Sequence, residues 1–267
     1  MEEKLQRLKK IISDLESVIV AFSGGVDSTF LLKVAYDVLG ENSIALTAVS
    51  PSYPAFELQE ARELAKNIGV RHMTENSHEL DIPGYAENSP RRCFFCKTEL
   101  FDICFAKANE LGIKNVIYGA TLSDLGDFRP GMDAAKEMGV RAPLLEAGLT
   151  KEEIRGLSRR MGLSTWDKPQ TACLSSRIPY GIRVTEDKLR TIALSELVLR
   201  QLGLRQFRVR YHEKIARIEI DESEFEKLLS RNLREIISKR LKELGFTYIT
   251  IDIEGYRSGS MNELLIK

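Results

Sequence analysis

The stretch that most constrains this chain is VIVAFSGGVDS, Val18–Ser28. Five apolar residues, Val18-Ile19-Val20-Ala21-Phe22, stop at Ser23-Gly24-Gly25. An amphipathic run follows, from Val26 through Phe30, Leu31, Leu32, Val34, Ala35 and Leu39. This order reads as buried strand, tight glycine turn and helix. Neither glycine carries a Cβ, so a ligand can come close to the backbone. The N–H groups of the turn and of the first helical turn face one concavity, which favours an anion and above all phosphate. No Lys follows Gly25, so this is not a Walker A loop. The bland alternative is an ordinary glycine-rich turn between a strand and a helix.

Charge and length narrow the class. Lys+Arg and Asp+Glu each total 39 in 267 residues, so no global basic field recommends a nucleic-acid partner. No apolar stretch approaches bilayer-spanning length, so no membrane partner is expected. The N-terminal MEEKLQRLKK reads as a charged helix and not as a signal peptide. Four cysteines without a secretory signal point to a reducing cytoplasm, where thiols serve metal or redox chemistry.

Along the chain, Glu2–Leu15 has the spacing of an amphipathic helix. Ser43–Val49 reads as a strand broken by Ser50-Pro51-Ser52-Tyr53-Pro54, at the sheet end where ligands bind. A helix is expected over Ala55–Ile68, a strand over Val70–Thr74 and a strand over Asn115–Tyr118 that ends at Gly119. Thr150 with Glu153 forms a capping-box signature for the helix Thr150–Met161. The alternation predicts an α/β domain with a doubly wound, mainly parallel sheet over residues 1–165. Residues 166–184 lack any period and are expected to be a linker that carries Cys173 into the active site. Residues 185–267 read as a smaller α+β domain. Its helix is expected over Thr185–Leu202, its strands over Gln206–His212, Lys214–Ile220 and Tyr248–Glu254, and its helix cap at Asp221 with Glu224.

Cys93 and Cys96 form a C-x-x-C at the start of a predicted helix, beside Arg91, Arg92 and Lys97. That setting favours thiolates, and the spacing lets both reach one metal centre. With the distant Cys173, three thiolates suit a [4Fe–4S] cluster with one open iron, or zinc with a fourth ligand. Two ligand-free thiols are the alternative. Cys104, two helical turns beyond Cys96 among apolar residues, reads as packing. His72, His78 and His212 are scattered and suit core or surface roles.

Ser-Gly-Gly-x-Asp-Ser after a strand resembles the pyrophosphate loop of N-type ATP pyrophosphatases, the PP-loop superfamily. Further segments together are similar to one family within it, the ATP-dependent sulfur transferases of the LarE type. They are RCFFCK (Arg92–Lys97), GDFRPG (Gly126–Gly131), WDKP (Trp166–Pro169) and ACLSSRIPYG (Ala172–Gly181). RVRYH (Arg208–His212), ARIEI (Ala216–Ile220) and EGYRSGSMN (Glu254–Asn262) extend the match. The resemblance implies an enzyme that uses ATP to adenylate a carboxylate of pyridinium-3,5-dicarboxylate mononucleotide, releasing pyrophosphate. Sulfur then gives the thiocarboxylate. The C-x-x-C implies the lineage in which Cys93, Cys96 and Cys173 hold a [4Fe–4S] cluster fed by sulfide or another sulfur donor. It also implies a homo-oligomer.

Roles follow from that resemblance. Ala21, Phe22, Ser23, Gly24, Gly25, Ser28 and Gly119 would bind ATP. Asp27 would orient the loop or help hold Mg²⁺, or would simply be an acid at a helix N-terminus. Arg208 and Arg210 share a strand face and could bind the substrate phosphate, or form a solvated face. Glu196, Glu219 and Asp221 could hold a divalent ion, although Asp221 already has a capping role. Ser176 and Arg177 would line the reacting centre with Cys173. Arg129 would meet a phosphate or staple its own loop. The rival readings are a tRNA thiolase, an amide-forming ligase and a nucleotide sensor.

Overall fold

The computed structural model describes residues 1–126, 129–257 and 259–261. The chain opens with α1 (Glu2–Ser13), β1 (Val18–Ala21), α2 (Val26–Leu39), β2 (Ser43–Val49), α3 (Ala55–Ile68) and β3 (Arg71–Asn76). It continues through α4 (Pro83–Ala86), α5 (Arg92–Leu111), β4 (Asn115–Tyr118), α6 (Pro130–Glu137), α7 (Pro143–Glu146) and α8 (Lys151–Arg160). Last come α9 (Glu186–Gln201), β5 (Phe207–His212), β6 (Ile215–Ile220), α10 (Phe225–Leu229), α11 (Arg231–Glu243) and β7 (Tyr248–Ile251). These elements form two compact units, Met1–Glu79 with Arg91–Thr171, and Leu80–Pro90 with Ala172–Lys267.

The first unit is built on a sheet of order β3-β2-β1-β4, parallel at every pairing. β1 is central, with Val20 opposite both Ala45 and Ile117. Its side chains alternate between two cores, as a strand requires. Val18 and Val20 pack with Leu8, Ile12, Phe30, Leu31 and Leu157 on one face. Ile19 and Ala21 pack with Leu46, Phe101, Cys104 and Val116 on the other. The expected doubly wound α/β architecture is therefore observed. It brings the carboxyl ends of β1, β2 and β4 to one edge of the sheet. β3 begins and ends later than its apolar pattern predicts, because it is an edge strand whose side chains are half exposed.

The second unit carries a three-stranded sheet of order β5-β6-β7, with β5 antiparallel and β7 parallel to β6. Leu199, Val209, Ile218, Ile237 and Leu241 fill its core. β7 stops three residues short of the predicted Glu254. There the Glu254 N–H turns back to Asp252 Oδ1 at 3.0 Å, an Asx turn that leaves Ile253 at 91% exposure. The expected capping box at Asp221 is corrected: Asp221 accepts the Ser223 N–H and caps only a short turn, Glu222–Glu224. Glu224 instead accepts the N–H groups of Arg205 and Gln206.

Residues 80–90 fall in the span predicted for the first domain, yet they pack with the second unit. Buried Asn88, at φ +57°, donates its side-chain amide to the carbonyls of Ile178, Pro179 and Ile182. The Gly181 and Val184 N–H groups return to the carbonyls of Asn88 and Ala86. Irregular backbone must find such partners when it is buried. Among the described residues no helix is long and apolar enough to cross a membrane.

The α8 cap forms as its sequence signature requires. Thr150 Oγ1 accepts the Glu153 N–H at 3.3 Å, and Glu153 Oε2 accepts the Thr150 N–H at 3.0 Å. Thr150→Ala will destabilise the first unit by about 1 kcal/mol. Denaturant unfolding followed by the fluorescence of Trp166, the only tryptophan in the chain, reads this directly.

Candidate functional site

β1 delivers Phe22 and Ser23 to the sheet edge, and the Phe22 N–H pairs with the Leu46 carbonyl at 2.8 Å. Gly24 takes φ +68°, and a Cβ there would lie 3.1 Å from that of Ala61. Both the turn and the close approach of α3 therefore require glycine. The two serines close the loop on itself, with their hydroxyls 3.1 Å apart and the Ser23 N–H donating to Ser28 Oγ at 3.3 Å. Gly25 is the N-cap of α2, and no side chain among the described residues caps that end. The first N–H groups of α2 thus face the concavity without a side-chain acceptor. At Gly119 a Cβ would stand 3.1 Å from the Ser28 backbone nitrogen, so glycine lets the end of β4 lie against the start of α2.

Residues outside the loop hold it, and the sequence reading assigned them no such part. The Tyr53 hydroxyl donates to the Ser23 carbonyl at 2.9 Å. Lys168 Nζ donates to the Gly24 carbonyl at 3.1 Å and pairs with Glu60 at 2.9 Å. Thr47 Oγ1 donates to the Phe22 carbonyl at 2.7 Å, which leaves the hydroxyl oxygen to accept from His72 Nε2, 2.8 Å away. Burial, aided by Arg62, lowers the His72 pKa and favours the neutral ring, with its proton on Nε2. His72 is thus a half-buried residue that supports the loop through Thr47. No periodicity marks these contacts, because they join loops far apart in sequence.

Burial pushes the Asp27 carboxyl up to about 6. Lys151, Arg155 and Arg129 oppose that shift, and Asp124 adds to it. An unfolded chain releases this proton near 3.8, so ionising Asp27 costs the fold stability as pH rises across that window. Burial also acts to raise Asp124, but the Thr121 N–H, Arg129 and Lys151 together hold it below the usual range. Arg129 staples its own loop by pairing with Asp124 at 3.0 Å. Asp127 and Phe128 of the segment GDFRPG lie outside the described residues, as do Ser258 and Asn262 of EGYRSGSMN.

Within the second unit, Cys173 precedes a short turn, Leu174–Arg177. Arg177 gathers that turn, its Nη1 donating to the Ala172 carbonyl at 2.6 Å, the Cys173 carbonyl at 3.0 Å and Ser176 Oγ at 2.8 Å. Its Nε and Nη2 form a two-point pair with Glu196 at 2.8 and 3.0 Å. Glu196 also accepts the Val209 N–H at 3.1 Å. Arg210 donates to the Ser176 carbonyl at 2.9 Å and to Glu219 at 2.6 Å, and Glu219 further accepts from Arg217 and Ser260. Arg208 lies with its guanidinium carbon 4.9 Å from the centre of the Tyr256 ring. Burial, with Arg177 and Arg210 nearby, pulls its pKa down to about 10. Arg208 and Arg210 are 6% and 5% exposed, which rules out a solvated strand face. Of the three carboxylates proposed for a divalent ion, Glu196 and Glu219 pair with arginines, while Asp221 caps its turn.

Cys93 and Cys96 begin α5, the first exposed and the second half-exposed, and neither forms a disulfide. Arg91 stacks on Phe94 beside them, 4.6 Å from the ring centre. Cys173 is half-exposed. Cys104 is sealed in the core and burial pushes its thiol up to about 12, so it packs, as its apolar neighbours suggest. Among the described residues no three His, Cys, Asp or Glu side chains gather as a metal site.

The NAD synthase family profile matches residues 2–90. An uncharacterized protein of Synechocystis is 44% identical over the whole of both chains. The pyridinium-3,5-bisthiocarboxylic acid mononucleotide synthase of Lactiplantibacillus plantarum is 36% identical over 99% of this chain and 95% of its own. The tRNA-specific 2-thiouridylase MnmA of Carboxydothermus hydrogenoformans is 28% identical over 58% of this chain and 54% of its own.

Glu196→Ala will destabilise the second unit by about 3–5 kcal/mol, because it strands the buried Arg177 charge. Asp221→Ala, which removes only a partly exposed cap, will cost about 1 kcal/mol. Urea unfolding followed by circular dichroism compares the two.

Proposed function

The chain belongs to the LarE family of ATP-dependent sulfur transferases, and from that premise we propose that it makes a thiocarboxylate from a carboxylate of pyridinium-3,5-dicarboxylate mononucleotide. The observation that carries this reading is the likeness to the Lactiplantibacillus synthase over nearly the whole chain, spanning both the glycine cradle and the turn that bears Cys173.

In the proposed reaction a carboxylate oxygen of the substrate attacks the α-phosphorus of ATP. The bond from that phosphorus to its bridging oxygen breaks, and the electron pair leaves with pyrophosphate. Sulfur then attacks the acyl carbon, and AMP departs with the carboxyl oxygen. Ser23, Gly24, Gly25 and Ser28 hold the departing pyrophosphate through backbone N–H groups and hydroxyls. Ala21, Phe22 and Gly119 line the nucleotide side of the cradle. Mg²⁺ fits Asp27, a half-buried carboxyl whose ionised form lacks full support from the protein. Arg208 and Arg210 take the phosphate of the substrate nucleotide, and the lowered pKa of Arg208 supports this, since an anion would favour its charged form. Glu196 and Glu219 serve first to hold Arg177 and Arg210, so a divalent ion bound by them with Asp221 would have to loosen those pairs. Ser176 and Arg177 orient the Cys173 turn.

The donor set suits an iron–sulfur cluster, because Cys93, Cys96 and Cys173 are accessible thiols free of disulfides, whereas Cys104 is sealed. Those three cysteines would hold a [4Fe–4S] cluster, which supplies a sulfide that is deprotonated at neutral pH and can be replaced. The sulfide, or another sulfur donor, acts in the cytoplasm on a homo-oligomer. The amide-forming and tRNA-thiolating alternatives gain no specific support.

Protein purified without oxygen will contain iron and labile sulfide and absorb broadly in the visible. Cys93→Ala will lose all three together with sulfur transfer. A colourless Cys93→Ala variant that keeps full activity would sink the cluster. The pH profile offers a separate check. The kcat/KM for ATP will rise as pH climbs through about 6, where Asp27 ionises, and Asp27→Asn will flatten that inflection.

A further inference from the structure

The PP-loop has no cation of its own, since Ser23-Gly24-Gly25-Val26-Asp27-Ser28 contains only an acid. A leaving pyrophosphate concentrates negative charge, and backbone N–H groups alone answer it with partial charges. Beyond the cations that act on Asp27, Lys168 brings a full positive charge into hydrogen-bond contact with the loop backbone from elsewhere in the same unit.

Residues 166–171 form a strap between α8 and α3. On the α8 side, Arg155 Nη1 donates to the Trp166 carbonyl at 2.7 Å and its Nη2 to the Lys168 carbonyl at 2.8 Å. Arg159 stacks on the Trp166 ring, 4.9 Å from its centre. On the α3 side, Thr171 Oγ1 donates to buried Glu57 at 3.2 Å. The strap backbone is therefore fixed at both ends, and Lys168 projects from its middle. Its ammonium reaches the Gly24 carbonyl and Glu60, at 3.1 and 2.9 Å. An ammonium has three N–H donors. Two have partners among the described residues, and the third is open.

We infer that Lys168 is the cation of the pyrophosphate cradle. Its third N–H takes an oxygen of the β- or γ-phosphate of ATP while the first keeps its grip on Gly24. The inference rests on the ATP-cleaving reading above and extends it to a named residue. The strap does what a lysine inside the loop does in a Walker A sequence: it sets a charged donor beside the phosphates. Holding Gly24 as well keeps the left-handed peptide in place, so the charge and the backbone donors are presented together. Glu60 parks the ammonium while the cradle is empty and competes with the ligand for it.

The test uses the full chain and three probes: magnesium pyrophosphate, α,β-methylene-ATP and AMP, each titrated calorimetrically. Lys168→Met will weaken pyrophosphate and α,β-methylene-ATP by about ten- to a hundredfold, the loss of one charge-assisted hydrogen bond, and will leave AMP within about twofold. Lys168→Arg will recover most of the loss. Glu60→Gln will tighten pyrophosphate severalfold by freeing the ammonium. A Lys168→Met protein that binds pyrophosphate as wild type does overturns the inference. So does one that loses AMP in proportion, because that is collapse of the loop and not loss of a phosphate ligand. Glu60→Gln guards against misfolding of the lysine variant: if it loosens pyrophosphate, Lys168 serves only to pin the strap. Failure of the ATP-cleaving reading looks different, since wild-type protein would then release no pyrophosphate from ATP with the pyridinium substrate.

Discussion

A turn built on Gly24 and Gly25 exposes its backbone N–H groups by giving up the side chains that would normally fix it. Glycine also loses the most conformational freedom on ordering. The loop must therefore be held from outside, and its surroundings read as a set of such holds. Ser28 and Ser23 close it internally, Tyr53 takes the Ser23 carbonyl and Lys168 takes that of Gly24. Gly119 lets β4 lie flush beneath the first turn of α2. Outward-facing carbonyls are thus spent on neighbours while the N–H side is kept for a ligand. The central place of β1 makes this possible, because a strand paired on both sides carries the turn as a rigid support.

The second unit solves a related problem with guanidinium groups. The turn after Cys173 is too short and irregular to satisfy its own carbonyls, and buried carbonyls need donors. Arg177 has five N–H groups in a fixed fork and supplies the Ala172 and Cys173 carbonyls at once. Burying that charge is costly unless it is paired, and Glu196 pairs it at two points. Arg210 and Glu219 repeat the arrangement around the Ser176 carbonyl. Each carboxylate thus holds an arginine in place, a partnership between distant residues that the sequence does not show.

What could be read in the sequence divides along the range of the interaction. The β1–loop–α2 unit was legible because an apolar run, two glycines and a helical period lie next to one another. The Thr150–Glu153 box was legible for the same reason. The places of Lys168, Tyr53 and Thr47 at the loop were not, because each acts across more than twenty residues by a side chain that could equally face water. The segment 80–90 looked like part of the first domain by its position, yet Asn88 ties it to residues some ninety positions later. Only the fold decides whether a lone Asn in a polar stretch becomes a buried bracket. Arg208 and Arg210 show the converse: alternation gave their common face correctly, and said nothing of whether that face was wet.

Two groups within the separate units carry charges that the protein only half supports. Asp27 stands at a helix N-terminus, where the dipole favours an anion, and yet burial outweighs that favour and Lys151, Arg155 and Arg129 restore only part of it. Burial, with Arg177 and Arg210 nearby, lowers the pKa of Arg208 by more than Glu196 and Tyr256 restore, so its proton is held less firmly than usual. Each shift raises the free energy of the native state at neutral pH. On the proposed reading each would be relieved by a ligand of opposite sign, a cation at Asp27 and a phosphate at Arg208. Binding would return that free energy, so affinity for a metal-bearing nucleotide and for a phosphorylated substrate would follow from the surroundings of these two side chains.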